Sequence, residues 1–346
     1  MRNLQRLIAV LCCAVLALLT ACSSDLPGPE RERSKKPKPT QTQAPVTGTL
    51  ADIQVTGTWS TRPDVEFPMP LLVEEPETTI LVAGAGPRLK EGGKALLAIY
   101  AQSGSDGEVF TDHFTDGPKA FRMLRSDLGD DLYETMVGVR TGSRVLHVVH
   151  DSVPLVMVID VLPLFASGEP VEDVAAEAPD GAPMPTVNSK KDGTPVVNVP
   201  KKKKPPATLT TSVLIRGNGA QVLANETAVL QYQAVRWSKN KVVGSTWDPD
   251  ELPVTVKVGA DTLIEGLDAA LTDLTVGSRI LVVVPPVLAF GPAGGKWQNE
   301  TMVYVVDVLA ASAPSTGDKT VDESDEADDD SPEARDKAAD ESDKRE

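Results

Sequence analysis

The side chains best suited to covalent or metal chemistry are few in this 346-residue chain and are unevenly placed. Its three cysteines, Cys12, Cys13 and Cys22, all lie in the first 22 residues, so the remainder has no thiolate nucleophile, disulfide or Cys-ligated metal. The three histidines are His113, His147 and His150. His147 and His150 are three apart in a strand-like run, point to opposite faces and cannot chelate one metal there, which favours a structural role. Gly84-Ala85-Gly86 lacks the third glycine and the following helix of a phosphate-cradling loop, and reads as a turn. Asp328-Asp329-Asp330 lacks the glycine and spaced ligands of a calcium loop and reads as solvated tail. Asn225 and Asn299 open glycosylation sequons of little weight if the chain is bacterial. No metal or cofactor is expected. What remains is largely an apolar set with a few aromatics.

Elements to position such a set must come from a chain with 41% hydrophobic but only 4% aromatic residues, hence from Val, Leu and Ala. The length predicts two domains. The net charge of −16 argues against nucleic acid, since no basic stripe interleaved with aromatics offsets it. From Asp318 to Glu346 there are 14 acidic and 5 basic side chains, a tail expected to be disordered. At the other end, Arg2 and Arg6 precede the apolar run Leu7 to Leu19, the layout of a signal peptide and too short for a membrane span. Leu19-Thr20-Ala21-Cys22 resembles the bacterial lipobox, which implies lipidation at Cys22 and anchoring on the extracytoplasmic face of the cell membrane. The alternative is an ordinary secretory signal with a chance cysteine.

The body contains a repeat. Gly84–Leu89 matches Gly217–Val222 and Lys94–Ile99 matches Thr227–Tyr232, both at an offset of 133. Gly142–Leu146 matches Gly277–Leu281 at 135, and Val158–Leu162 matches Val305–Leu309 at 147. The last jump is a 12-residue deficit in the first copy, just before its final strand. Short Val/Leu/Ile/Thr runs predict strands at Leu209–Ile215, Ala228–Val235, Val254–Val258, Arg279–Val284 and Met302–Val308. Leu267, Leu271 and Leu274 share one helical face, and Gly277 is read as the helix stop. Val196–Val199 is expected to add a strand to the second domain, and Lys201–Lys204 to be a solvated loop rather than a membrane patch.

Between 205 and 310 the order of motifs resembles the FKBP-type peptidyl-prolyl cis-trans isomerases. Tyr232 is followed by Leu263-Ile264-Glu265-Gly266-Leu267, the strand opening Val276-Gly277-Ser278-Arg279, Pro285-Pro286 with Ala289-Phe290-Gly291, and the closing Asp307-Val308-Leu309. Residues 75–165 look like a second example through the internal match. The resemblance implies an α+β fold: two tandem FKBP-like domains, each an antiparallel half-barrel sheet wrapped on one short helix. Expected extents are a signal peptide at 1–21, a disordered tether at 22–48, a degenerate domain at 49–166, a linker at 167–183, an isomerase domain at 184–311 and an acidic disordered tail at 312–346.

Carried over residue by residue, the family's pocket falls on Tyr232, Val243, Val254, Leu263, Ile264, Leu267, Phe290 and Tyr304. Tyr232 would be a wall with a polar handle, Ile264 would offer its backbone N–H, and Leu267 would form the floor. The family usually has Phe at Val243, Asp at Gly244, Phe at Val254, Trp at Leu267 and Tyr at Phe290. The loop after Phe290 is also shorter than usual, with Trp297 and Trp247 as candidates to refill lost aromatic surface. Ile99 replaces Tyr232 in the first copy and its loop shrinks to His150-Asp151-Ser152-Val153-Pro154, which implies a non-catalytic domain. The resemblance implies a peptidyl-prolyl isomerase that assists exported proteins by acting on their X–Pro segments. The alternatives are a non-catalytic chaperone or binding scaffold, and an adaptor acting through residues 318–346.

Overall fold

The computed structural model describes residues 46–149, 154–260 and 262–312. The expectations for the signal peptide, Cys22, most of the tether, His150 and the acidic tail lie outside the described residues. Among those described, no helix is long and apolar enough to cross a membrane.

The first sheet is built from β1 (Glu77–Val82), β2 (Lys94–Ser103), β3 (Val109–Asp112), β4 (Lys119–Arg122), β5 (Arg144–Val149) and β6 (Leu155–Leu162). The helix α1 (Asp130–Met136) precedes β5. The second is built from β7 (Thr210–Arg216), β8 (Thr227–Arg236), β9 (Lys241–Ser245), β10 (Val254–Lys257), β11 (Arg279–Val284) and β12 (Met302–Ser312), with α2 (Glu265–Leu271) before β11. The order is β1-β5-β6-β2-β3 in one and β7-β11-β12-β8-β9 in the other, with β4 on β2 and β10 on β8. All these pairings are antiparallel. The two sheets thus share one topology. The starts of β1, β2, β5 and β6 meet those of β7, β8, β11 and β12 at the offsets read from the repeat, and the 12-residue deficit falls between β5 and β6.

Short runs of branched aliphatic residues make these strands because such side chains pack well on a pleated surface. Their central members are buried on both faces, unlike the alternation of a half-solvated sheet. One face of the second sheet packs on α2 through Leu267, Leu271, Val282, Val284 and Val306. The other carries Val235, Leu281, Val283, Val303 and Val305, and is covered by Ala178, Met184, Val197 and Val199. The first sheet is covered likewise by Ile53, Leu71 and Val73.

Those covers change several expectations. Val196–Val199 does not extend the second sheet: Pro195–Asn198 pairs with Thr186–Ser189 in a separate hairpin lying over the outer face, whose apolar side chains need burial. Within residues 167–183, Glu169–Pro170 pairs with β7 and Ala178 is buried. Val46–Thr47 pairs in parallel with Leu71–Leu72. Gly277 does not end the helix. α2 stops at Leu271, Asp273 turns the chain with φ of 69°, and Gly277 follows with φ of 93° at the entrance to β11. The first sheet also carries more than one helix, adding His113–Asp116 and Arg125–Leu128.

The covers are tied down by a buried ion pair that occurs in both sheets. Arg144 Nε and Nη2 donate to Asp160 at 2.7 and 2.8 Å, and Arg279 Nε and Nη2 donate to Asp307 at 2.6 and 2.8 Å. Arg144 also donates to the carbonyls of Gly57 and Thr61, while Ser60 N–H donates to Asp160. Arg279 reaches Ser189 Oγ and Gly193 O, while Ala166 N–H donates to Asp307. Each bidentate pair therefore satisfies its remaining hydrogen-bonding capacity with the segment that precedes its sheet. Gly84 and Gly217 recur because the backbones of 141–143 and 276–278 leave no room for a Cβ there.

Candidate active site

The inner face of the second sheet bounds a cavity of about 390 Å³. Alternation along β8 points Leu230, Tyr232 and Ala234 into it, and alternation along β12 does the same for Met302, Tyr304 and Val306. β9 adds Val243 and Gly244, and β10 adds Val254 and Val256. The approach to α2 brings Leu263 and Ile264, the helix brings Leu267 and Leu271, and the 285–301 loop brings Phe290 and Trp297. All eight residues named from the sequence stand together around one space. Leu230, Ala234, Val256, Thr262, Leu271, Met302 and Val306 were missed as lining residues. The period of two around Tyr232 and Tyr304 would have found four of them, and the i+4 step from Leu267 would have found Leu271.

Among the described residues, no charged side chain lines the cavity. Of its polar groups, the Thr262 hydroxyl donates to Lys257 O at 2.9 Å, while the buried Trp297 indole N–H has no partner among the described residues. The Tyr304 side chain belongs to a residue only 5% exposed, yet its hydroxyl makes no hydrogen bond to a described residue. Burial, with the neighbouring Tyr232, pushes the Tyr304 hydroxyl well above the ordinary phenol range, so it stays protonated. The Tyr232 hydroxyl is similarly unpartnered among the described residues. A Cβ placed at Gly244 would sit 3.7 Å from that oxygen, so space exists where the family's carboxylate usually stands. Ile264 immediately precedes α2 with an extended backbone, and its N–H finds no described acceptor. Leu267, at 8% exposure, forms the aliphatic floor.

The loop wall is held from both ends. Gly291 N–H donates to Pro286 O at 2.7 Å and closes a tight turn beside Phe290. At the return, Glu300 accepts from Ser238 N–H at 2.8 Å, Ser238 Oγ at 2.7 Å and Arg236 Nη2 at 2.7 Å. Those donors hold the Glu300 carboxyl below its usual range against the opposing effect of burial. Between these anchors the Phe290 and Trp297 rings meet edge-on, 5.5 Å between centroids. Trp297 does restore aromatic surface to this wall. Trp247 does not: it sits outside the cavity, 5.6 Å from the Arg279 guanidinium.

The corresponding face of the first sheet is filled differently. Ile99 occupies the place of Tyr232 and Met157 that of Tyr304, and both pack with Leu97, Met123, Met136 and Ile159 in an aliphatic core. Phe110, at the position of Val243, is 54% exposed. His147 is buried, with Nδ1 at 2.8 Å from Thr78 Oγ1, and burial lowers its pKa.

The model of the FKBP-type peptidyl-prolyl cis-trans isomerase family matches residues 219–309, which span β8 to β12 and every wall of the cavity. An FK506-binding protein of Streptomyces anulatus is 30% identical over 111 residues, covering 31% of this chain and 89% of that protein. A probable FK506-binding protein of Corynebacterium glutamicum is 27% identical over 108 residues, covering 31% and 89%. The crystal structure of FkpA from Escherichia coli aligns at 23% identity and a TM-score of 0.28, covering 37% of this chain and 52% of that one. The extent and identity of the Streptomyces match establish that the chain belongs to the FKBP-type peptidyl-prolyl cis-trans isomerase family.

Proposed function

We propose that this protein is a peptidyl-prolyl cis-trans isomerase acting on X–Pro bonds of exported chains, and that its site is the cavity between β8, β12 and α2. Rotation about an X–Pro bond must break amide resonance, a barrier of ~18–20 kcal/mol. No nucleophile is required. A desolvated apolar space that grips proline favours the twisted, less polar amide, and fixed donors hold the flanking carbonyls. The observation that carries this reading is a cavity lined by no charged side chain among the described residues, together with four donors that no described residue accepts: the Ile264 N–H, the Trp297 indole N–H and the Tyr232 and Tyr304 hydroxyls.

Tyr232, Val243, Val254, Leu263, Ile264, Leu267, Phe290 and Tyr304 are the residues assigned to the site. The two sheets are read as tandem FKBP-like domains, the first degenerate because it lacks both tyrosines and the loop wall. Lipidation at Cys22 would hold the body on the extracytoplasmic membrane face, where X–Pro segments of exported proteins are the substrates.

A second reading, binding without catalysis, is favoured by Gly244 and Leu267, which leave the site without the usual carboxylate and aromatic floor. Isomerisation of an X–Pro tetrapeptide by the full chain separates the two. Turnover by the wild-type chain that falls in a folded Tyr232→Ala variant supports the isomerase, whereas peptide binding without turnover in the wild-type chain rejects it. Retention of Cys22→Ser in the membrane fraction would reject the anchor.

A further inference from the structure

The first sheet reaches the walls of the second sheet's cavity through two basic side chains. Residues 246–253 join β9 to β10, and both strands line the cavity: Gly244 stands just before this segment and Val254 just after it. Its ends are anchored by buried Thr246 and Pro253 and half-buried Trp247 and Leu252, but its tip, Asp248 to Glu251, is exposed and has no apolar packing of its own. Its carbonyls are taken up by the other sheet. Lys94 Nζ donates to Thr246 O at 2.7 Å and to Asp248 O at 2.6 Å. Arg122 donates to Pro249 O at 3.3 Å and also to Asp250 O.

Lys94 and Arg122 stand directly opposite each other on β2 and β4. Like charges in that register repel, so the first sheet by itself gains nothing from the pair. Their proximity becomes favourable when four carbonyl oxygens and an acidic loop face them. The Asp250 carboxylate approaches Arg122 to 3.9 Å, and Asp248 and Glu251 act on Lys94 in the same sense. Behind this contact Leu96, Ala98 and Leu162 of the first sheet pack with Val229, Leu309 and Ala310 of the second.

Thr246 carries the contact inward. Its N–H donates to Tyr232 O at 2.9 Å, and Tyr232 N–H donates to Thr246 Oγ1 at 2.8 Å. The chain of contacts therefore runs from Lys94 through Thr246 to the backbone of a cavity tyrosine. We propose that Lys94 and Arg122 are positioning residues, through which the first sheet holds Tyr232, Gly244 and Val254 of the second sheet in the geometry that binds substrate. The degenerate sheet is then a working part of the site. This inference rests on the isomerase reading for its effect on turnover, but not for its effect on peptide binding.

The test compares the full chain with the variants Lys94→Gln/Arg122→Gln, Arg122→Gln and Lys94→Arg. Three quantities are read: KM and kcat on an X–Pro tetrapeptide, the Kd for that peptide from tryptophan fluorescence, and hydrogen exchange of residues 246–256. Loosening the loop lowers the fraction of molecules competent to bind, so KM and Kd should rise roughly 3- to 10-fold in the double variant, with kcat within about twofold. Arg122→Gln should show part of the rise and remain informative if the double variant folds poorly. Lys94→Arg, which keeps the donor charge, should stay within about twofold of wild type. Faster exchange at 246–256 with unchanged KM and Kd overturns the proposal. A wild-type chain that binds peptide without turning it over defeats the isomerase reading alone, and the Kd comparison then decides on Lys94 and Arg122. A wild-type chain that does neither overturns both.

Discussion

Removal of one oxygen atom, in Tyr304→Phe, should lower activity and leave stability unharmed. The Tyr304 side chain is almost wholly buried, its hydroxyl faces the cavity, and no described residue accepts or donates to it. If that hydroxyl holds a substrate carbonyl as the amide twists, its deletion removes one neutral hydrogen bond, worth about 0.5–1.5 kcal/mol. At 1.36 kcal/mol per factor of ten, kcat/KM should fall roughly 2- to 12-fold. The free protein makes no protein hydrogen bond with this group, so folding loses nothing when it goes. Tm should therefore stay unchanged. A coupled assay of X–Pro isomerisation and a thermal melt on the same two preparations suffice. A lower Tm would mean that the hydroxyl serves the fold, and an unchanged kcat/KM would mean that it is a spectator; either result refutes the argument.

Two further predictions concern the body that carries the site. Asp307→Ala strands Arg279 in the interior and releases Ala166 N–H, so chemical denaturation should show a loss of about 3–5 kcal/mol, with Asp160→Ala behaving alike in the first sheet. Replacing both partners by apolar residues of similar volume, as in Arg279→Met/Asp307→Leu, should cost much less, and equal losses would count against the ion-pair account. The second prediction is acid sensitivity confined to one sheet. Burial depresses the pKa of His113 and of His147 in the folded state, so the unfolded chain binds more protons near its ordinary histidine pKa. Stability from these groups is fully present above about pH 6.5 and is lost as pH falls from there through the lower folded values. The second sheet contains no histidine. Hydrogen exchange between pH 7.5 and 5.0 should therefore accelerate in residues 77–149 well before it does in 210–312, and equal acceleration in both would defeat the reasoning.

Much of this molecule is legible from residue order alone, because strands and repeats are local signals. The offsets of 133, 135 and 147 place β2, β5 and β6 against β8, β11 and β12 residue for residue. The eight named pocket residues converge because motif spacing along a fixed sheet topology determines which side chains share a face. Other features were hidden because they depend on surfaces meeting at long range. The hairpin 186–198 reads like any alternating strand pair, and only the apolar outer face of the second sheet decides that it lies across that sheet rather than beside it. Trp247 and Trp297 look alike as aromatics near the site, yet one ring seats on Phe290 and the other lies by Arg279. Lys94 and Arg122 read as ordinary surface charges, 28 positions apart, and acquire their meaning from a loop more than 120 residues further on. By itself the sequence determined the strands and the duplication, which follow from periodicity and spacing, while the eight candidate wall residues came from the family resemblance. Only tertiary structure decided what covers each sheet, which hydroxyls are left unpartnered and how one sheet grips the other, since burial and hydrogen-bond satisfaction belong to the packed chain as a whole.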